Sequence, residues 1–298
     1  MISPAPLFFL VDASESKRAG YEKLDIDRDW PAFVHGPVCW IVQTCLILRG
    51  QGVDAHLSSV PRESGINIAH ADTLTADMDP ACFTIGVLAD RARFVSNPKL
   101  VIVQNQTQAR PSEGRYWMPH WPQPGLIPRD RTRAAPRVAA YVGRFLNLGM
   151  PPLHFAECCR ECGWEPRLPG LDHGADLSQV DALVGIRSLD TRTHDRKPAS
   201  KLVNAWLAGI PFIGGYDSAF AQVGTPGEDY LRVGNLEELK DALIRLREDA
   251  ELYARLVQAG RQRATAHDRA AVTTAWLKFL NETAYPAFAW REESSFPA

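Results

Sequence analysis

The rhythm of apolar runs predicts an α/β protein of two consecutive doubly wound domains that face each other across a cleft. Three observations carry this expectation. Short apolar runs ending in Gly or small polar residues recur along the chain, as buried parallel strands do. Stretches of helical length or spacing alternate with them, the strand–helix order of an open sheet. The rhythm also pauses in PRDRTRAAPR (Pro128–Arg137), basic and Pro-flanked, and then restarts, which marks a linker. A length of 298 residues gives each half enough chain for its own core.

In the first domain, residues 1–133, PLFFLVDAS (Pro6–Ser14) reads as a strand with a loop at its carboxyl end, and Gly36–Arg49 as a helix stopped by Gly50 and Gly52. VDAHLSS (Val53–Ser59), INIAHAD (Ile66–Asp72), CFTIGVLAD (Cys82–Asp90) and LVIVQNQT (Leu100–Thr107) read as further strands. The Trp- and Pro-rich GRYWMPHWPQPGLIP (Gly114–Pro128) reads as an irregular loop. The second domain, residues 138–280, opens on the strand RVAAYVGR (Arg137–Arg144) and the helix Leu153–Cys162. VDALVGIR (Val180–Arg187), IPFIGG (Ile210–Gly215) and DYLRV (Asp229–Val233) are its other strands, with a helix at Lys197–Gly209. Asn235–Gly260 carries one or two helices and Gln262–Leu280 another. The aromatic tail 281–298, with Tyr285, Phe288, Trp290 and Phe296, either folds back on the first domain or mediates association.

Composition narrows the function. A net charge of −2 supplies no general basic field, so nucleic acid is not expected as a partner and any anion must be held by local groups. The apolar runs are too short for a signal peptide or a membrane span, so a cytoplasmic protein is expected, with membrane contact at most peripheral. Cys158, Cys159 and Cys162 cluster on a helical stretch without a second Cys/His pair at zinc spacing. They are expected to be reduced, and no metal site is assigned. The sequence holds no dinucleotide fingerprint, Walker loop or zincin motif. Asp25–Ile26–Asp27 has the letters of a metal-binding Asp-x-Asp but sits in a charged segment before the first long helix, and reads as solvated.

Chemistry concentrates in KPASKLVNAWLAGIPFIGG (Lys197–Gly215). Pro198 suits a first helical turn, and the amides that follow, with Ser200, form an anion site strengthened by the helix dipole. Lys197, Lys201 and Asn204 fall on one helical face. That cationic helix end suits a diphosphate, and a solvated lysine face explains the spacing equally well. In YVGRFLN (Tyr141–Asn147) the strand ends in Gly143 and places Arg144 at the cleft edge, where a guanidinium pairs bidentately with phosphate. Arg187 follows a strand, ahead of a basic loop with His194 that otherwise reads as solvated. In GGYDSAFAQVG (Gly214–Gly224) the amides of Ser218 and Ala219 are either ligand contacts or parts of a plain turn.

NAWLAGIPFIGG resembles the helix–Gly–strand segment of the retaining-type GT-B glycosyltransferases, the family 4 or group 1 type. Asn235–Ala264 and the following helix with Trp276 and Phe279 resemble that family's helical tail, so the similarity runs from about Val138 to Leu280. It implies a GT-B-like pair of Rossmann-like domains. The second would hold a nucleoside-diphosphate sugar through Gly143, Arg144, Arg187, Lys197, Ser200, Lys201, Asn204, Ser218 and Ala219. The family places a phosphate-binding basic residue where Arg144 stands. It commonly carries two glutamates where this chain has Arg196 and Asn204, so a carboxylate role toward the donor is lost here.

The acceptor and the catalytic base are expected in the first domain. His35, before the first long helix, is the leading base. Asp12 and Asp90 at strand ends compete with it. His120 and Trp121 are acceptor contacts if their loop does not simply pack on the body. The reaction expected is metal-independent transfer of a sugar from a nucleotide-sugar donor to a saccharide, lipid-linked or other small acceptor, with no further cofactor. A nucleotide-sugar epimerase and an inactive nucleotide-sugar-binding protein are the alternatives.

Overall fold

The fold comes from a computed structural model that describes residues 4–75, 79–133, 135–169 and 174–294. Phe296 of the expected tail lies outside them. The chain divides into one unit of residues 1–121 and 269–298 and a second of residues 122–268.

Six parallel strands form the first sheet: β1 (Leu7–Leu10), β2 (Ala55–Ser58), β3 (Ile66–His70), β4 (Phe83–Ala89), β5 (Leu100–Val103) and β6 (Arg115–Trp117), in the order β2-β1-β3-β4-β5-β6. Every residue of β3, β4 and β5 is buried, which is why these runs lack the alternation of a one-faced sheet. Asn67 inside β3 is tolerated because its amide is fully used. It exchanges hydrogen bonds with the Arg62 backbone, both 2.8 Å, and donates to the Phe83 carbonyl at 3.1 Å. Two helices, α1 (Glu15–Tyr21) and α2 (Thr44–Gly50), lie between β1 and β2, and a π-helical turn, Val38–Gln43, runs into α2.

The Trp- and Pro-rich stretch is more ordered than its composition predicts. Arg115, Tyr116 and Trp117 pair in register with Val101, Ile102 and Val103 as an edge strand. Trp121 is 1% exposed and donates its indole N–H to Thr44 Oγ1 at 2.8 Å, so it is a core anchor and not an acceptor contact.

Five parallel strands form the second sheet: β7 (Val138–Ala140), β8 (Glu165–Arg167), β9 (Ala182–Gly185), β10 (Phe212–Gly214) and β11 (Leu231–Arg232), in the order β11-β10-β9-β7-β8. Helices α3 (Pro152–Glu161), α4 (Ser200–Ala208), α5 (Ser218–Val223), α6 (Leu236–Glu248) and α7 (Ala250–Ala264) connect and cover these strands. Gly209 stops α4 in the left-handed region at φ 69°. Asn235 caps α6, accepting from the Glu238 amide at 2.9 Å while the Glu238 carboxylate takes the Gly234 amide at 2.7 Å.

The basic stretch expected as a linker is tied to this second unit. Asp181 is 0% exposed, and its carboxylate receives Arg129, Arg133 and the amides of Arg137 and Val138 at 2.7 to 3.1 Å. Burial works to raise its pKa, but these donors overrule it and hold the group at about 2.

The return to the first unit begins at α8 (Arg269–Phe279), earlier than the helical spacing suggests. Val272, Trp276, Phe279, Leu280, Ala284 and Phe288 join the first core, and Arg269 pairs with Asp27. The last helix, α9 (Tyr285–Ser294), lays Phe288 edge-on against Phe83 at 5.6 Å and leaves Trp290 71% exposed. No described helix is long and apolar enough to cross a membrane.

Candidate functional site

In both sheets the strand order reverses beside the first strand of the unit, between β1 and β3 and between β7 and β9. Loops leaving the carboxyl ends of two such strands diverge and open a crevice between them, where open α/β sheets take ligands.

At the reversal in the second sheet the chain is stripped of side chains. Gly143 follows β7 at φ +136°, a conformation that L-residues rarely adopt. A Cβ there would lie 2.8 Å from Lys201 Nζ. Gly185 ends β9, and a Cβ on it would lie 3.3 Å from Lys201 Cδ and 2.4 Å from the Phe212 ring. Lys201 leaves the first turn of α4 and runs through this gap, its ammonium 5.3 Å from the centre of the Tyr141 ring. The ammonium has no hydrogen-bond or ion-pair partner among the described residues. Burial pushes its pKa down to about 7, helped by the charges of Arg187 and Lys197 and opposed by Asp217.

Arg187 and Asp217 complete the cluster. Their side chains are 7% and 1% exposed, with Arg187 Nε 3.0 Å from Asp217 Oδ1. The contact is an ion pair without hydrogen-bond geometry, for Arg187 Nε and Nη1 and both Asp217 oxygens have no hydrogen-bond partner. Burial raises the Asp217 pKa, and Arg187, His194 and Lys201 counter it. Nearby, Ser188 Oγ donates to Asp190 at 2.8 Å and lies 2.8 Å from His194 Nε2, which ties the start of the basic loop together.

The structure gathers some predicted residues and disperses others. Gly143, Lys201 and Arg187 meet. Arg144 is exposed, and its carbonyl accepts the Tyr141 hydroxyl at 2.8 Å. The cation beside Lys201 is therefore Arg187, where the sequence suggested Arg144. Lys197 does not share a helical face with Lys201 and Asn204, because α4 starts only at Ser200 and the Lys197 amide closes a turn onto the His194 carbonyl at 2.9 Å. Ser200 is half-buried in the first turn of α4, which has no side-chain cap. Asn204 Oδ1 accepts the Gln123 amide at 3.0 Å, so this oxygen fastens the incoming chain. The Ser218 amide is likewise taken, by the Thr193 carbonyl at 2.6 Å, and does not offer the ligand contact expected of it, while Ala219 lies buried in the first turn of α5.

In the first unit, Asp12 is exposed just beyond β1, and His35 is exposed ahead of the π-helical turn, its carbonyl accepting the Cys39 amide at 2.8 Å. Asp90 follows β4 and pairs with Arg91. His120 is a packing residue, with Nδ1 2.6 Å from the Trp121 carbonyl, Nε2 3.9 Å from Cys39 Sγ and its ring edge-on to Trp40 at 5.2 Å. Both nitrogens thus face protein partners, which argues against the acceptor contact expected of it.

Sequence reasoning missed His70. It ends β3 at the first sheet's reversal, is 1% exposed, and its Nδ1 accepts the Asp72 amide at 3.1 Å. That bond leaves the neutral ring's proton on Nε2, the atom a Cβ on Gly36 would meet at 3.5 Å. Burial lowers its pKa. The only trace in the sequence is a histidine closing an apolar run. All six cysteines are free and buried, and the described residues contain no group of His, Cys, Asp or Glu suited to a metal ion.

Residues 134–278 match the family described as glycosyl transferase-like. Among solved structures, HepE from Anabaena, in complex with UDP and glucose, shares the fold with a TM-score of 0.61 at 13% identity, covering 93% of this chain and 99% of HepE. Sucrose-phosphate synthase from Thermosynechococcus elongatus gives a TM-score of 0.52 at 13% identity, covering 73% of each chain. TarM of S. aureus gives 0.54 at 11% identity, and the match covers 74% of this chain but only 55% of TarM. No curated protein sequence matches the chain.

Proposed function

We propose that the chain is a GT-B glycosyltransferase of the group 1 type, supported by the glycosyl transferase-like match at residues 134–278 and the fold shared with HepE, and that the Lys201–Arg187 cluster holds the diphosphate of a nucleotide-sugar donor. One observation carries the reading. A half-buried ammonium without an ion-pair partner among the described residues lies by a buried guanidinium at the point where the second sheet reverses, and two like charges in a partly desolvated crevice favour an anion. UDP is the first nucleotide to test, because HepE has been solved in complex with UDP and with UDP-glucose.

The chemistry follows from the charges. As the bond between the anomeric carbon and the diphosphate oxygen breaks, its electron pair moves onto that oxygen. Fixed cations there lower the barrier. Lys201 and Arg187 supply this neutralisation in the reading offered here, so it calls for no metal ion. An acceptor hydroxyl forms the new bond to the anomeric carbon and loses its proton to a general base. Asp12 and His35, both exposed at the carboxyl side of the first sheet, are the proposed bases, and a saccharide or other small hydroxyl compound is the proposed acceptor.

A thermal-shift panel of nucleoside diphosphates and their sugar conjugates, with and without a chelator, tests the reading. Ligands that bind the native state raise the midpoint with affinity and concentration. A chelator-insensitive shift with UDP or another nucleoside diphosphate, absent with the nucleoside alone, is expected. No shift with any diphosphate would remove it.

A further inference from the structure

The Arg187–Asp217 pair is badly made for a structural salt bridge. A buried ion pair recovers its desolvation cost only with good geometry and further hydrogen bonds. This one has neither, since Arg187 Nε and Nη1 and both carboxylate oxygens make no hydrogen bonds although the groups lie 3.0 Å apart. Asp217 thus neutralises Arg187 without satisfying its donors. The same carboxylate also feels Lys201 and His194, so it is an anion set among basic side chains. A diphosphate brings more charge and more acceptor oxygens to the same donors.

We propose that Asp217 is an internal competitor of the diphosphate: it pairs with Arg187 while the site is empty, yields it to the phosphate oxygens when donor binds, and reclaims it as the nucleoside diphosphate departs. Asp217 is then a positioning residue acting through Arg187, and its effect falls on product release. This rests on the diphosphate reading above.

The experiment is calorimetric titration of UDP into the unmodified protein, Asp217→Asn and Lys201→Ala, with steady-state kinetics on any sugar donor that turns over. Asp217→Asn is expected to bind UDP about tenfold more tightly, as removal of a competing charge at a desolvated site does. Its kcat and KM should fall together, because release of the product slows. A merely structural Asp217 would give the opposite sign, so weaker or unchanged UDP binding by folded Asp217→Asn overturns the proposal. Lys201→Ala separates the two layers: unchanged UDP affinity there sinks the diphosphate reading itself. Should Asp217→Asn fail to fold, a crystal structure of the unmodified protein with UDP decides. Arg187 bonded to phosphate and parted from Asp217 supports the proposal, and an intact pair refutes it.

Discussion

The lowered pKa of Lys201 makes nucleoside diphosphate binding depend on pH in a calculable way. In the empty protein the group titrates at about 7. A bound diphosphate supplies the missing counter-charge and raises that value, so the ligand prefers the protonated lysine. Affinity is therefore greatest below pH 7 and declines as the pH rises, by up to about tenfold per unit. Between pH 7.5 and 9 the free lysine goes from roughly one quarter protonated to about one per cent, which predicts a loss of roughly 25-fold, about 2 kcal/mol. That window avoids the ionisation of the terminal phosphate itself, near pH 6. Linkage adds a second observable, an uptake of about 0.9 proton per ligand bound at pH 8. Calorimetry in two buffers of different ionisation enthalpy measures both. Lys201→Met should bind weakly at every pH and show neither the slope nor the uptake. Flat affinity across the window in the unmodified protein, with no proton taken up, would refute the reasoning.

Other perturbations test other links. Gly143→Ala combines the φ of +136° with a Cβ 2.8 Å from Lys201 Nζ. It should cost about 1–3 kcal/mol of stability and weaken nucleotide binding, both measurable by denaturant titration and calorimetry. Asp181 has its pKa held at about 2 in the folded protein against an ordinary value of 3.8, so it contributes roughly 2.5 kcal/mol above pH 4 that disappears as the pH falls toward 2. Asp181→Asn, which also strands Arg129 and Arg133, should lower stability at pH 7 by about 3 kcal/mol or more, and urea titrations should show that deficit shrinking in acid. Trp121→Ala empties a fully buried site and should cost about 3–5 kcal/mol, while the second unit's nucleotide affinity in the folded fraction stays unchanged.

The strand–helix rhythm was readable because burial on both faces leaves apolar runs with sharp ends, as in β3, β4 and β5. What escaped had specific causes. β8 contains Pro166, which argues against a strand from sequence, yet β8 is the edge of its sheet, where a missing N–H is tolerated. α5 hides behind the glycines of Gly214–Gly215 and Gly224. Helical spacing placed the Trp276 helix but could not say which core it serves, because an apolar face carries no address. At the site, Gly143, Arg187 and Lys201 were visible from strand ends and a helix start. Asp217, Tyr141 and His70 were not, since their roles depend on neighbours distant in sequence. The Ser218 amide looked available for the same reason: nothing local shows that the Thr193 carbonyl already holds it.

Everything functional here turns on whether Lys201 and Arg187 of the second unit grip a pyrophosphate. Titrating a panel of nucleoside diphosphates into the unmodified protein and into Lys201→Ala at pH 6.5, where the lysine is mostly charged, measures that grip directly. A loss of at least tenfold in affinity for whichever diphosphate binds, with the variant's fold intact by circular dichroism, is the predicted result. Equal affinity in the two proteins would contradict the account.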